Sequence, residues 1–188
     1  MDIAGQYRIA STREQVWTAL NDPDVLRECI PGCESLEPDG DDALKARIKA
    51  AVGPVRSTFD TRIRLEDVQP PERYTLVGEA KAGAAGFGRG TATVELSEDF
   101  VENSPVTLLD YQADLKLGGK LAQVGSRLVQ GATRKTADEF FRNFSTHLDE
   151  HAVRTDEPVA PPTGGVGRWV AAAIAVLLVL LLLWILLG

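Results

Sequence analysis

Two histidines stand four residues apart in His147-Leu148-Asp149-Glu150-His151, the H-x-x-E-H spacing of an inverted zinc-protease motif. On a helix both imidazoles share one face, but a catalytic zinc also needs a third protein ligand and a sheltered water. The pair falls at a helix end beside a Pro- and Gly-rich stretch. Acidic residues are also common, 27 in a chain of 188, so the match is cheap. It reads as a solvated helix end. No Ser-His-Asp set is visible, because these two histidines are the only ones in the chain.

Cys29 and Cys33 offer two soft ligands, but no second cysteine pair completes a zinc site. Flanking Glu28 and Glu34 would raise a thiol pKa rather than lower it, which argues for structural thiols. In a reducing compartment they stay unbridged. Gly83-Ala84-Ala85-Gly86-Phe87-Gly88-Arg89-Gly90 invites a phosphate-loop reading. Such a loop must deliver its glycines to a helix N-terminus, whereas this one leads into the strand-like Thr91-Ala92-Thr93-Val94. A flexible hairpin is expected, with Phe87 as lip of a cavity or partner contact. The absence of a convincing acid–base set favours a binding protein over an enzyme.

The elements that must position these groups follow from periodicity. Asp2 to Ala10 reads as a strand. Ser11-Thr12-Arg13-Glu14 is a capping-box sequence opening a short helix, with Ser11 as cap and Glu14 reaching back. Asp22-Pro23 opens a second helix, which Pro31-Gly32 ends. Alternating runs follow through Leu44–Val52, Phe59–Leu65, Tyr74–Ala80, Ala92–Leu96 and Leu109–Leu117. They predict an antiparallel meander of six or seven strands with one wet face. After Gly118-Gly119 the period turns helical, and Leu121, Val124, Leu128, Ala132, Phe140, Phe144 and Leu148 predict one long amphipathic helix.

A long helix laid into a curved antiparallel sheet is the α+β helix-grip, or START-like, arrangement. Its interior commonly keeps an apolar cavity. Inward positions mix small residues (Ala46, Ala50, Gly78, Ala80, Ala113) with large ones. The candidate cavity lining is Phe59, Ile63, Tyr74, Leu76, Val94, Tyr111, Ala113, Leu115, Gln123, Val124, Leu128, Phe140 and Phe144. Tyr74, Tyr111, Gln112 and Gln123 are the candidates for orienting a polar head group. The alternative is that the helix phenylalanines fill the space.

The segment from Trp169 to Leu187 carries no charge, Pro or Gly. About 18–19 residues at about 1.5 Å each nearly match a bilayer core, and Trp169 and Trp184 stand near its ends, where indoles favour the interface. The expected organisation is a domain over 1–153, a Pro/Gly-rich linker over 154–167 and a transmembrane anchor over 168–188. The formal charge of −7 argues against nucleic acid and against electrostatic adsorption to anionic lipid. Met1-Asp2-Ile3-Ala4-Gly5-Gln6 has neither basic nor apolar signal regions. The expectation is a tail-anchored protein of the cytoplasmic membrane, its body in the cytoplasm.

Asp22-Pro23-Asp24-Val25-Leu26, Cys29-Ile30-Pro31-Gly32-Cys33-Glu34, Gly118-Gly119-Lys120-Leu121-Ala122-Gln123-Val124-Gly125-Ser126-Arg127-Leu128 and Ala137-Asp138-Glu139-Phe140-Phe141-Arg142-Asn143-Phe144 resemble the CoxG family of carbon monoxide dehydrogenase proteins, within the SRPBCC superfamily. The resemblance implies an accessory protein that serves a carbon monoxide dehydrogenase or related molybdenum hydroxylase at the cytoplasmic membrane. It also implies association with the respiratory quinone pool. The leading expectation is a membrane-tethered carrier of menaquinone, ubiquinone or a similar apolar lipid, with no covalently bound cofactor. A pure recruitment factor, a maturation chaperone and a cyclase- or hydrolase-type enzyme remain open.

Overall fold

A computed structural model describes residues 2–40, 43–52 and 55–152. Its elements are β1 (Asp2–Ile9), α1 (Arg13–Leu20), α2 (Pro23–Cys29), β2 (Cys33–Pro38), β3 (Ala43–Val52), β4 (Val55–Gln69), β5 (Arg73–Lys81), β6 (Phe87–Val101), β7 (Ser104–Gly118) and α3 (Ser126–Ala152). One seven-stranded antiparallel sheet runs β1-β7-β6-β5-β4-β3-β2. The expected meander is present, with β1 added at one edge and β2 at the other.

The caps show how local chemistry sets the boundaries. Asp22 caps α2 as expected, its Oδ1 accepting from the Asp24 amide at 2.9 Å, with Pro23 in the first turn. The cap of α1 is one residue later than expected. Thr12 Oγ1 accepts from the Gln15 amide at 3.3 Å, and Gln15 Oε1 accepts from the Thr12 amide at 3.1 Å. Ser11 is instead buried, its carbonyl accepting from Thr107 Oγ1 at 2.8 Å. Between α2 and β2, Gly32 has φ +72°, and a Cβ there would strike the Lys49 carbonyl.

The expected single helix after Gly119 is two pieces. Residues Gly119–Gln123 form a 3-10 turn, and Gly125 at φ +94° breaks the phase before α3 begins. Among the described side chains of α3 the buried ones are Val129, Thr136, Ala137, Phe140, Phe141, Phe144 and Leu148, and the expected Ala132 lies outside them. The core lies between the inner face of the sheet and this stripe. α1 and α2 close one end, where Trp17 packs 5.3 Å from Tyr74 and Arg13 pairs with Glu72 and Glu98. At the opposite end lie the β5–β6 turn, the end of β7 and the start of α3. Among the described residues, no helix is long and apolar enough to cross a membrane. The linker, the proposed anchor, Trp169 and Trp184 lie outside them.

Candidate ligand site

The strand register aligns the inner face in cross-strand rows. Ala46, Thr61, Ala80, Gly88 and Leu117 form one row. Leu44, Ile63, Gly78, Gly90 and Leu115 form the next. Beyond them, Leu76, Ala92, Ala113 and Ile3 precede a bulky row of Tyr74, Val94 and Tyr111. Along β5 and β6 side-chain volume thus falls from the end sealed by α1 toward the opposite, open end, which α1 does not cover, while buried Ile48 and Phe59 keep bulk there on β3 and β4. The helix repeats that gradient. Its phenylalanines sit in the second half, whereas the buried side chains described in the first half are Val129, Thr136 and Ala137.

Two polar groups stand out in this apolar interior. Tyr74 is fully buried and Thr61 is 4% exposed, and neither hydroxyl has a hydrogen-bond partner among the described residues. Burial holds the Tyr74 phenol far above its usual pKa, so it stays protonated and can donate. An enclosed hydroxyl without a partner costs about 1–3 kcal/mol. Each is therefore a place where a ligand oxygen would be welcome.

Ten of the thirteen expected lining residues, Phe59, Ile63, Tyr74, Leu76, Val94, Tyr111, Ala113, Leu115, Phe140 and Phe144, are buried together on this inner surface. Val124 is partly buried against the same cluster. Leu128 is not part of it: it is 55% exposed, because the break at Gly125 turns Val129 inward in its place. Gln123 is exposed in the 3-10 turn, and Gln112 points to solvent between inward Tyr111 and Ala113. Phe140 and Phe144 stack at 5.5 Å and, with Tyr74 and Trp17, occupy the sealed half of the interior.

Two hollows flank α3. A groove of about 520 Å³ lies against β3 and β4, with Lys49, Arg56, Lys135 and Glu139 around Pro31, Ala50 and Ala51. A polar one of about 590 Å³ lies along β1 and reaches Tyr111, Arg127, Arg134 and Asp138. In the second, Tyr7 donates to Asp138 Oδ1 at 2.9 Å and stacks on Phe141 at 3.9 Å. Burial first, then Tyr111 and Asp138, raises the Tyr7 pKa. Burial and Asp138 raise that of Tyr111 against the pull of Arg134 and a hydrogen bond with Tyr7. The sequence reading missed Tyr7 and Thr61. Thr61 carried a signal, a lone hydroxyl between inward Phe59 and Ile63. Tyr7 carried none, since its partner is 131 positions away.

The other motifs settle simply. Burial and then Glu28 push the Cys29 thiol up to about 12, and burial raises Cys33 against the opposing pull of Arg27. Both are thiols rather than nucleophiles at neutral pH. His147 Nδ1 lies 3.6 Å from Glu28, and the side chain of His151 lies outside the described ones. The Gly83–Gly90 segment is a 3-10 turn followed by β6, and Gly86 packs backbone to backbone on Gly118 and Gly119.

The model of the carbon monoxide dehydrogenase CoxG family matches residues 5–149. The chain belongs to that family. A CoxG assignment carries an accessory role beside a carbon monoxide dehydrogenase and agrees with the lack of a catalytic set in the sequence. Among solved structures, a conserved protein of Geobacillus kaustophilus is 29% identical with a TM-score of 0.73, over 80% of this chain and 96% of that one. The Zhui aromatase/cyclase of Streptomyces sp. R1128 is 14% identical with a TM-score of 0.58, over 85% and 99%. A Thermus thermophilus protein is also 14% identical, with a TM-score of 0.59 over 81% and 99%. The last two share the fold alone. A comparison with curated proteins returned no match.

Proposed function

We propose that this CoxG protein is a membrane-tethered accessory subunit. It recruits a carbon monoxide dehydrogenase-type molybdenum hydroxylase to the cytoplasmic membrane and carries an isoprenoid quinone or similar apolar lipid between sheet and α3. The observation that carries the ligand reading is the pair of hydroxyls, Thr61 and Tyr74, that have no hydrogen-bond partner among the described residues and stand on an otherwise apolar inner face. Apolar lining supplies affinity at about 25 cal/mol per Å², and a hydroxyl orients a carbonyl or phenol head. Trp169 and Trp184 would set the tail at the two membrane interfaces. Organic extraction of the purified full chain, followed by mass spectrometry and quinone titration, tests the carrier. A co-purifying quinone with saturable rebinding is expected. An empty domain that binds no quinone overturns it.

A second reading, recruitment without a ligand, is favoured by the full burial of Phe140, Phe144 and Tyr74, which occupy half the interior unaided. Under it, deleting residues 168–188 releases the dehydrogenase from membranes while Ala113→Phe changes nothing. Under the carrier reading Ala113→Phe abolishes quinone binding.

A further inference from the structure

The formal charge of −7 conceals an uneven distribution. The segments around the open end, residues 2–5, 49–52, 55–58, 79–89 and 114–139, hold nine Lys and Arg against five Asp and Glu. The rest of the chain is correspondingly more acidic. Lys49, Arg56 and Lys135 are exposed around the groove between α3 and the β3–β4 pair, whose floor is Pro31, Ala50 and Ala51. Among the described residues none of these three cations has a carboxylate within ion-pair distance, and Glu139 is the only carboxylate in the lining.

Large apolar side chains are exposed at the same end. Phe87 is 43% exposed beside Gly118, with the Arg89 guanidinium 5.4 Å from its ring centroid, and Leu128 is 55% exposed in the first turn of α3. Phe100 and Val101 are the other exposed large apolar residues among those described. They occupy the opposite tip, between Glu98, Asp99 and Glu102. Anionic lipid would repel that tip and attract the open end. A phospholipid surface presents phosphate and hydrocarbon within a few ångströms of each other, as the cationic rim and the exposed Phe87 and Leu128 require.

We propose that the open end of the domain docks on an anionic phospholipid bilayer, with lipid phosphate held among Lys49, Arg56 and Lys135 and with Phe87 and Leu128 entering the interface. The inference goes beyond the carrier reading and needs no ligand inside: an empty domain that docks leaves it standing.

The test uses residues 1–153, which contain the whole described core. The Geobacillus protein, 29% identical, has 96% of its own chain matched by 80% of this one, so a relative crystallised with little beyond the matched fold. The fragment should co-sediment with vesicles of phosphatidylcholine mixed with phosphatidylglycerol, and far less with phosphatidylcholine alone or in high salt. The combined Lys49→Gln, Arg56→Gln and Lys135→Gln variant should bind on the order of 100-fold more weakly, at about five-fold per charge (about 1 kcal/mol). Arg8→Gln, at the opposite end, should bind as the parent does, and thermal unfolding confirms that each variant folds. Binding indifferent to phosphatidylglycerol, or unaffected by the triple change, overturns the proposal. So does a triple variant that loses the purified dehydrogenase while the parent ignores vesicles, which would make this a protein-docking face. Saturable binding of inorganic phosphate without vesicle binding also overturns it.

Discussion

Replacing Thr61 by Val asks the interior two questions with opposite signs. Thr61 is 4% exposed, and its Oγ1 has no partner among the described residues, between Ala46 and Ala80 in the cross-strand row. Keeping such a hydroxyl costs about 1–3 kcal/mol, and Val has nearly the same shape without it. The ligand-free Thr61→Val domain should therefore gain about 1–2 kcal/mol. For a domain of this size that raises Tm by roughly 2–8 °C. The same change removes a hydrogen bond to a ligand oxygen, worth about 0.5–1.5 kcal/mol net, so quinone should bind roughly 2- to 12-fold more weakly. Calorimetry on solvent-stripped protein reads the first effect, and quinone quenching of Trp17 fluorescence reads the second. A lower Tm, or a raised Tm with unchanged quinone affinity, refutes the assignment of Thr61 to the ligand.

Asp39 joins Lys45 at 2.5 Å and Arg62 at 2.6 Å, which face each other across β3 and β4. The Lys45 hydrogen bond, with Arg62, holds its carboxyl below the usual 3.8, so its stabilisation is present above that pH and lost as pH falls below it. Asp39→Asn should lower Tm at neutral pH, with the gap closing in acid; a gap that persists unchanged counts against the bridge. Gly32→Ala adds about 1–2 kcal/mol for the left-handed backbone and a clash with the Lys49 carbonyl. Urea denaturation should show a loss larger than that figure, and an unchanged midpoint contradicts the geometry. Phe140→Ala should cost about 3–5 kcal/mol by the same assay, because the ring is wholly buried between Phe141 and Phe144.

How much of this was legible in the sequence depended on whether the deciding contact was local. Strands β3 to β7 announced themselves because a sheet with one wet face writes its burial as strict alternation. β2 did not, because in this edge strand Leu36 is its only buried side chain. The α1 cap was ambiguous for a physical reason: Ser11-Thr12-Arg13-Glu14 and Thr12-Arg13-Glu14-Gln15 both satisfy the pattern. A tertiary bond from Thr107 to the Ser11 carbonyl accompanies the later choice. Leu128 was misassigned because Gly125 resets the helical phase, and a glycine in sequence does not say whether it bends or breaks a helix. The cationic rim was hidden by summation, since net charge says nothing about where the charges fold to.

That distribution changes the part assigned to the tail. An acidic chain would leave the tether as the sole membrane attachment, yet the open end carries its own cations. α3 begins there and spans 27 residues, so its C-terminus, where the proposed linker would start, is about 40 Å from its first turn. Taken as a coil, the proposed linker over 154–167 would average about 20 Å and would reach about 46–50 Å only when fully extended. Docking with the helix upright would stretch that coil at a cost on the order of 3 kcal/mol. Three cations at about 1 kcal/mol each would roughly offset it. With the helix inclined, the proposed linker would relax while the same cations could still reach phosphate. Under the proposed tether, bilayer-facing and partner-facing orientations would then differ by little free energy, as the proposed carrier would need in order to visit both. A recruitment factor without a ligand would gain from the same rim, so docking serves both readings and quinone binding is what separates them.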